Sequence, residues 1–348
     1  SEMQTMYESK AGERGIFSRV AAQKIAARNG RRDADQDFGT NPCSEIILRS
    51  NQFCNLSEIV VRSSDNLESL KKKCRIAAII GTLQATLTDF RYLRNVWKKN
   101  TEEEALLGVS MTGIMDHSVI GKSTDKTAEW LEEIKNVAIK TNEEWAKKLG
   151  INQSTAITAV KPSGTVSQLV DSASGIHPRF SKYYVRRVRS DKKDPLAVFM
   201  EDKGFPVEQD VMSPSSSVFS FPVKAPKGSV TVKEVGAMQQ LELWKAYQNH
   251  WCEHKPSITV YYTDSEFLQV AQWIWDNFDL CSGISLLPVS DHVYQQAPYE
   301  DIDATRYKEL LASMPKGVDW QDLGNFEMED NTTGSQELAC VGGACEIV

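Results

Sequence analysis

Asn41-Pro42-Cys43-Ser44-Glu45-Ile46-Ile47-Leu48, followed shortly by Cys54-Asn55-Leu56-Ser57-Glu58-Ile59-Val60-Val61, is the stretch from which the fold of this chain is read. Glu45 to Leu48 and Phe53 to Val61 are rich in Ile and Val and predict two strands. Cys43 then sits in a loop entering one strand, and Cys54 within or beside the next. Asn41, Cys43 and Glu45 place an amide, a thiol and a carboxylate at alternate positions. In an extended or loop backbone alternate side chains project to one side. One small substrate could therefore meet a hydrogen-bonding amide, a sulfur able to do redox or radical chemistry, and a base. A packing cysteine beside a turn asparagine fits the same pattern, because free cysteine commonly behaves as a small buried hydrophobe.

Outward from this stretch, strands alternate with helices. Upstream, Phe17 to Asn29 predicts a helix ended by Gly30. Downstream, Leu67 to Asn95 predicts one or two helices, with Ile76, Ile79, Ile80, Leu83, Leu87 and Phe90 at roughly helical spacing. Leu107 to Gly113 suits a buried strand and turn. Thr127 to Leu149 predicts an amphipathic helix, with Trp130, Leu131, Ile134, Val137, Ala138 and Trp145 on one side and Gly150 as its stop. Ser154 to Val160, Ser257 to Tyr262 and Ile284 to Leu287 predict further strands, with helices around Leu241–Trp251 and over Ser265–Phe278. Ser217–Phe221 and Ser229–Val232 flank Pro226-Lys227-Gly228 and predict an inserted β-hairpin. The alternation gives an α/β fold. Residues 1–326 read as one domain, and 327–348 as a mobile tail with little to bury.

Composition narrows the function classes. The net charge of −7 opposes sequence-independent binding to a nucleic-acid polymer, which requires basic surface to displace counterions. No apolar run approaches the length of a membrane span, and Ser1-Glu2-Met3-Gln4 carries no signal-peptide pattern. Seven cysteines, an odd number, suit a reducing cytoplasm better than a disulfide framework. No Cys/His cluster has zinc-site spacing, so no metal is expected. Cys74, Cys252 and Cys281 lie in or beside apolar helical segments and read as packing residues.

Three further stretches carry chemistry. Lys161-Pro162-Ser163-Gly164-Thr165-Val166-Ser167 follows a predicted strand and opens toward a helix, where small residues let a ligand approach backbone N–H groups. An ordinary Ser/Thr cap has the same composition. Ser174-Gly175-Ile176-His177-Pro178-Arg179 leads into Lys182, Arg186, Arg187 and Arg189, either a solvated basic strand or an edge that meets an anionic ligand. Cys340-Val341-Gly342-Gly343-Ala344-Cys345 places two thiols on a Gly-rich end, where access and mobility favour thiol–disulfide exchange.

Taken together these motifs resemble the ribonucleotide reductases, and most closely the adenosylcobalamin-dependent class II ribonucleoside-triphosphate reductases. The resemblance runs in family order through Asn41–Ile46, Cys54–Leu56, Leu107–Gly113, Pro162–Val170, Ser174–Arg179, Pro256–Tyr262, Ser290–Tyr299 and the Cys340/Cys345 end. It implies the second half of a ten-stranded α/β barrel with adenosylcobalamin as cofactor. Cys43 would be the thiyl radical that takes the substrate's 3′ hydrogen, Glu45 the base on the 3′ hydroxyl, and Asn41 a hydrogen-bond partner of the sugar. Cys54 would be one of two reducing thiols. Ser44 and Pro162, Ser163, Gly164, Thr165, Val166 and Ser167 would hold the substrate and its phosphates, and Cys340 and Cys345 would pass electrons from a thioredoxin-like reductant. His177, Arg179 and Arg187 are candidate cofactor contacts. In the family the Asn-Cys-Glu motif lies near the middle of a longer chain, whereas here it begins at residue 41. The expected partner is therefore an N-terminal half carrying the second reducing thiol, without which the chain would be inactive. A non-catalytic nucleotide- or partner-binding subunit, and a reductase served by a separate metal radical subunit, remain alternatives.

Overall fold

A computed structural model describes residues 2–9, 15–289 and 296–328. In chain order the elements are α1 (Glu2–Ser9), β1 (Gly15–Ile16), α2 (Arg19–Ala27), β2 (Gly39–Thr40), β3 (Ile47–Leu48), β4 (Asn55–Val60), α3 (Leu67–Gln84), α4 (Asn95–Glu104), β5 (Leu107–Thr112), α5 (Asp125–Leu149) and α6 (Val166–Leu169). There follow β6 (Tyr183–Asp191), α7 (Pro195–Asp202), β7 (Val207–Gln209), β8 (Ser216–Lys224), α8 (Ala237–His250), β9 (Thr259–Tyr262), α9 (Phe267–Asp276), β10 (Ile284–Pro288), β11 (Tyr299–Asp301) and α10 (Ala304–Ser313). The contacts divide the described residues into two compact units, one from Ser1–Pro178 with Glu234–Val289, the other from Arg179–Lys233 with Ser290–Val348.

The first unit is built on parallel pairings. β4 lies beside β5 in register Asn55↔Leu107 to Val60↔Thr112. β5 bridges to the next segment at Val109↔Thr158, which bridges onward at Val160↔Pro256. β9 then pairs with β10 from Thr259↔Ser285 to Tyr262↔Pro288, and β1 closes antiparallel onto β10. The strand predicted over 154–160 is thus present only as bridges, although its backbone bonds to both neighbours: Leu107 N to Ala156 O, Val109 N to Ile157 O and Ala159 N to Val109 O on one side, and Val160 N to Lys255 O and Ser257 N to Val160 O on the other. The parallel strands do not close into a barrel among the described residues, and on the far side of β4 no described strand pairs.

Helices cover this sheet where the sequence places them, with one inversion. α5 is capped by Thr124 and stops at Gly150 in the left-handed region, as predicted, and buries Leu131, Ile134 and Ala138. α3 starts with a reciprocal capping box between Asn66 and Ser69. The face it buries is Leu70 with the smaller Cys74, Ala77, Ala78 and Gly81, which let α3 and α5 approach closely; Cys74 donates to the Ile134 carbonyl. Three of its larger apolar residues face outward instead: Ile76, Ile80 and Leu83 are 59, 47 and 43% exposed, and Leu87, just past its end, is 73% exposed. Helical spacing fixes which residues share a face, not which of two flanking faces meets the neighbour. Cys252 and Cys281 are buried, as expected of packing residues.

The second unit is an antiparallel sheet in the order β11-β6-β8-β7. Phe199 and Phe219 form its core, with Phe205, Leu323 and Phe326 against them. The predicted hairpin is corrected here. The turn at 226–228 exists, with Gly228 at φ +85° and Ser229 N bonded to Pro226 O. The strand before it pairs with Tyr183–Asp191 rather than folding back on Ser229–Val232. The latter run bonds instead to Arg179 through Arg179 N to Val230 O and Val232 N to Arg179 O. Nonlocal partners decide both pairings, and turn chemistry does not report them.

Gly113, which ends β5, sits at φ +80°, and a Cβ there would lie 2.5 Å from the Val61 carbonyl oxygen. Both the backbone conformation and the contact penalise any side chain, and the opposing atom is main chain. Gly113→Ala should therefore cost at least about 2 kcal/mol, read as a lowered urea midpoint at unchanged slope.

Candidate active site

The loop carrying Cys43 is held from beneath by His254-Lys255-Pro256-Ser257. Ser257 Oγ donates to the Cys43 carbonyl, Lys255 Nζ to Ser44 Oγ at 2.7 Å, and Lys255 N to the Glu45 carbonyl at 3.2 Å. His254 Nδ1 accepts from Ile47 N at 3.2 Å, and its Nε2–H donates to the Leu107 carbonyl at 2.9 Å. From within the loop, Asn41 Oδ1 accepts from Ile46 N at 3.0 Å. Ser44, at φ +65°, is a non-glycine residue in the left-handed region, the conformation that such anchoring sustains.

Above the loop the site is lined by alternate residues of two strands. Cys54, Leu56 and Glu58 point to the face of β4 that meets Gly108, Ser110 and Thr112 of β5. Gly108 leaves the space: a Cβ there would stand 3.4 Å from Cys54 Sγ and 2.9 Å from Ile46 Cδ1. Glu45 is fully buried, with Oε1 3.1 Å from Lys161 Nζ and Oε2 without a partner. Lys161 also lies within hydrogen-bonding reach of the Cys43 side chain. Its backbone N donates to Ser110 Oγ at 2.8 Å. Glu58 has the hydroxyls of Ser163 and Thr112 at hydrogen-bonding distance, while its Oε1 is buried and unpartnered.

The electrostatics follow from burial and these neighbours. Burial pushes the Cys54 thiol pKa up, and the Glu45 carboxylate adds to the effect, so Cys54 stays a protonated thiol. Burial likewise raises Glu58. Burial works against the Lys161 ammonium, but Glu45 and Cys43 outweigh it and its pKa rises. Lys255, fully buried, is brought down to about 7 by desolvation, with Glu45 opposing. Its ammonium donates to the Ser282 carbonyl and lies 4.6 Å from the Phe17 ring centroid.

The predicted residues are therefore partly brought together. Asn41, Cys43, Ser44, Glu45 and Cys54 share one site with Lys161, the residue that leads into Pro162–Ser167. In that segment Ser163 N donates to Ser174 Oγ, Ser163 Oγ accepts from Ser167 N, and Ser167 Oγ bonds the Ser163 carbonyl, which closes a tight turn. Gly164 is half-buried, and Thr165 and Val166 are exposed at its tip. The helix that opens there is only the four-residue α6. His177 has both ring nitrogens engaged by backbone: Nδ1 with the Ser174 carbonyl at 3.1 Å, and Nε2 accepting from Thr259 N at 3.0 Å. In the second unit Arg187 is ion-paired with Glu300 and bonded to the Ala297 carbonyl, and Arg179 is buried. Cys340 and Cys345 lie outside the described residues. Lys161, Glu58 and the 254–257 clasp were not assigned from sequence. Glu58 was legible by parity, four positions after Cys54 on a strand; the clasp, more than 200 residues from its loop, left no local signal.

No family model matches the chain. It is 29% identical over 316 residues to a probable adenosylcobalamin-dependent ribonucleoside-triphosphate reductase of Dictyostelium discoideum, covering 89% of this chain and 40% of that protein. It is 28% identical over 381 residues to the adenosylcobalamin-dependent ribonucleoside-triphosphate reductase of Lacticaseibacillus paracasei, covering 97% and 50%. Among solved structures, a B12-dependent class II ribonucleotide reductase superposes with a TM-score of 0.71 at 24% identity, over 94% of this chain and 49% of that one. The alpha subunit of a class Id ribonucleotide reductase from Actinobacillus ureae gives 0.53 at 13% identity, over 83% and 60%. These two support a mixed α/β fold matching part of the reductase catalytic domain. The chain spans about half the length of the curated relatives it matches. Among the described residues no helix is long and apolar enough to cross a membrane, and no group of three His, Cys, Asp or Glu could hold a metal.

Two of the three buried histidines, His177 and His254, give the fold a pH signature. Burial holds His177 at about 4, against about 6.5 in an unfolded chain. The neutral ring is favoured by the fold, so its stabilisation is full above about pH 6.5 and lost as pH falls toward 4. That loss is about 3 kcal/mol by about pH 4, and His254, lowered further by burial, acts in the same direction. Urea midpoints should fall steadily on acidification below about pH 6.5. His177→Gln should be less stable at neutral pH and show a shallower acid slope.

Proposed function

We propose, from the premise that this chain is a homologue of part of the class II adenosylcobalamin-dependent ribonucleotide reductases, that it carries the reacting residues of radical ribonucleotide reduction. Supporting this is one observation: the partly buried Cys43 and Cys54 lie about the fully buried Glu45, with Glu45 Oε2 unpartnered and Lys161 joining Glu45 to Cys43. In this reading Cys43, as a thiyl radical, takes the hydrogen atom from C3′ and becomes a thiol, leaving a carbon radical on the sugar. Glu45 accepts the proton of the 3′ hydroxyl, a transfer that requires a carboxylate oxygen within hydrogen-bond reach. Cys54, held protonated, and a second thiol then supply two hydrogens: the C2′–O bond breaks, the 2′ hydroxyl leaves as water, hydrogen takes its place on C2′, the two sulfurs join as a disulfide, and Cys43 and Glu45 return the hydrogen atom to C3′ and the proton to its oxygen. Among the described cysteines none stands across from it: Cys74 lies between α3 and α5, and Cys252 and Cys281 are buried in packing. The second thiol is assigned to a complementary segment. So is closure of the half-barrel, whose open β4 edge and apolar α3 face suit a covering layer. The tail thiols Cys340 and Cys345 would restore the dithiol with electrons from a thioredoxin-like donor.

Adenosylcobalamin, when bound, supplies the radical. Of the side chains singled out for it, His177 has both ring nitrogens engaged by backbone and Arg187 is ion-paired with Glu300, so neither is a ready contact.

The test is reconstitution of the full chain with a polypeptide supplying the rest of a relative's length, adenosylcobalamin, a dithiol and a ribonucleoside triphosphate. Deoxyribonucleotide should form, and Cys43→Ala should reduce the rate by at least about a thousandfold. Turnover by the chain alone would refute the need for a complement. Turnover unchanged in Cys43→Ala would refute the radical assignment.

A further inference from the structure

The geometry points to Lys161 as a positioning residue that holds the Cys43 thiol and the Glu45 carboxylate as one unit. Glu45 is fully buried, and a buried carboxylate is stable only when paired and hydrogen-bonded. Its Oε1 meets one cation within salt-bridge distance, Lys161 Nζ at 3.1 Å, while Oε2 has no partner. The same ammonium reaches the Cys43 side chain. Lysine suits this double task, since it carries three donors on one compact charge.

Lys161 is not a loosely placed surface residue. Its N–H is fixed to Ser110 Oγ, and its carbonyl lies so close to Gly175, at φ +53°, that a Cβ there would come within 2.7 Å of that oxygen. The side chain thus leaves a rigid strand end and reaches inward, with 36% exposure remaining toward the open side. Lys255, the other amine near Glu45, is bonded to Ser44 Oγ and the Ser282 carbonyl and serves the loop from below.

The inference deepens the reductase reading and rests on it for the meaning of the pair. With Oε1 held by Lys161, Oε2 is the oxygen that receives a proton from a substrate hydroxyl. One O–H bond breaks and another forms, and no electrons are exchanged. Cys43 is held beside that oxygen by the same cation, so hydrogen-atom abstraction and proton removal act on one carbon and its oxygen. The titratable and charged groups around this unit are Cys54 and Glu58 from β4, Arg32 from the segment after α2, and Lys255 from the clasp.

The experiment is pH-dependent alkylation of Cys43 in the full chain by iodoacetamide, followed on the Cys43 peptide by mass spectrometry. It needs neither cofactor nor turnover, so its failure is separable from failure of the reductase assignment. Lys161→Met should raise the alkylation midpoint by about one pH unit or more, as expected when a neighbouring cation is removed. Lys161→Arg should restore most of the shift. Glu45→Gln should lower the midpoint, because Lys161 is then left to the thiol alone. A folded Lys161→Met chain with an unchanged midpoint would overturn the proposal, as would equal behaviour of the Arg and Met variants. If Lys161→Met does not fold, an unchanged midpoint in Glu45→Gln overturns it.

Discussion

The His254–Ser257 clasp is the constraint on which the rest depends. It meets the loop at four points, the Cys43 carbonyl, the Ser44 hydroxyl, the Glu45 carbonyl and the Ile47 N–H. A loop that holds Ser44 in the left-handed region does not keep that shape unaided. The clasp is itself the lead-in to β9, so the loop inherits the rigidity of the parallel sheet. Lys255 carries the cost: an ammonium out of water, offset by two oxygen acceptors and the face of Phe17.

Around this clasp the first unit concentrates charge where an ordinary sheet would be apolar. Arg32 pairs with Glu104 through two bonds of 2.9 Å and Arg31 with Glu253, whose Oε2 also accepts from Ile157 N. These pairs tie the segment preceding the loop to α4 and to the clasp side of the sheet. Buried ion pairs add little net stability over apolar replacements, but each fixes an orientation. Gly108, Ser110 and Thr112 complete the arrangement by giving β5 a face of small and hydroxyl-bearing residues beside Cys54 and Glu58.

The sequence was most legible where a local rule carries the information. The strand following Asn41-x-Cys43-x-Glu45 was visible in its Ile-Ile-Leu run, Gly150 marked the end of α5, and β4, β5, β9 and β10 fell within apolar runs. It was least legible where distant chain decides. The outward turn of Ile76 and Ile80, the choice of Tyr183–Asp191 as partner for β8, and the reduction of residues 154–160 to isolated bridges all depend on what lies alongside. The arginines show the same limit. A basic run is the same string whether it meets a ligand or its own sheet, and only the coordinates pair Arg187 with Glu300 and Arg189 with Asp210.

The outward apolar face of α3 and the unpaired rim of β4 also bear on how the chain lives before any assembly. Free backbone donors and acceptors beside exposed Ile and Leu side chains form a surface that another copy can mimic a partner to reach. Left uncovered, that surface favours self-adhesion as the concentration of the chain rises. The geometry of one helix thereby bears on solubility as well as on packing.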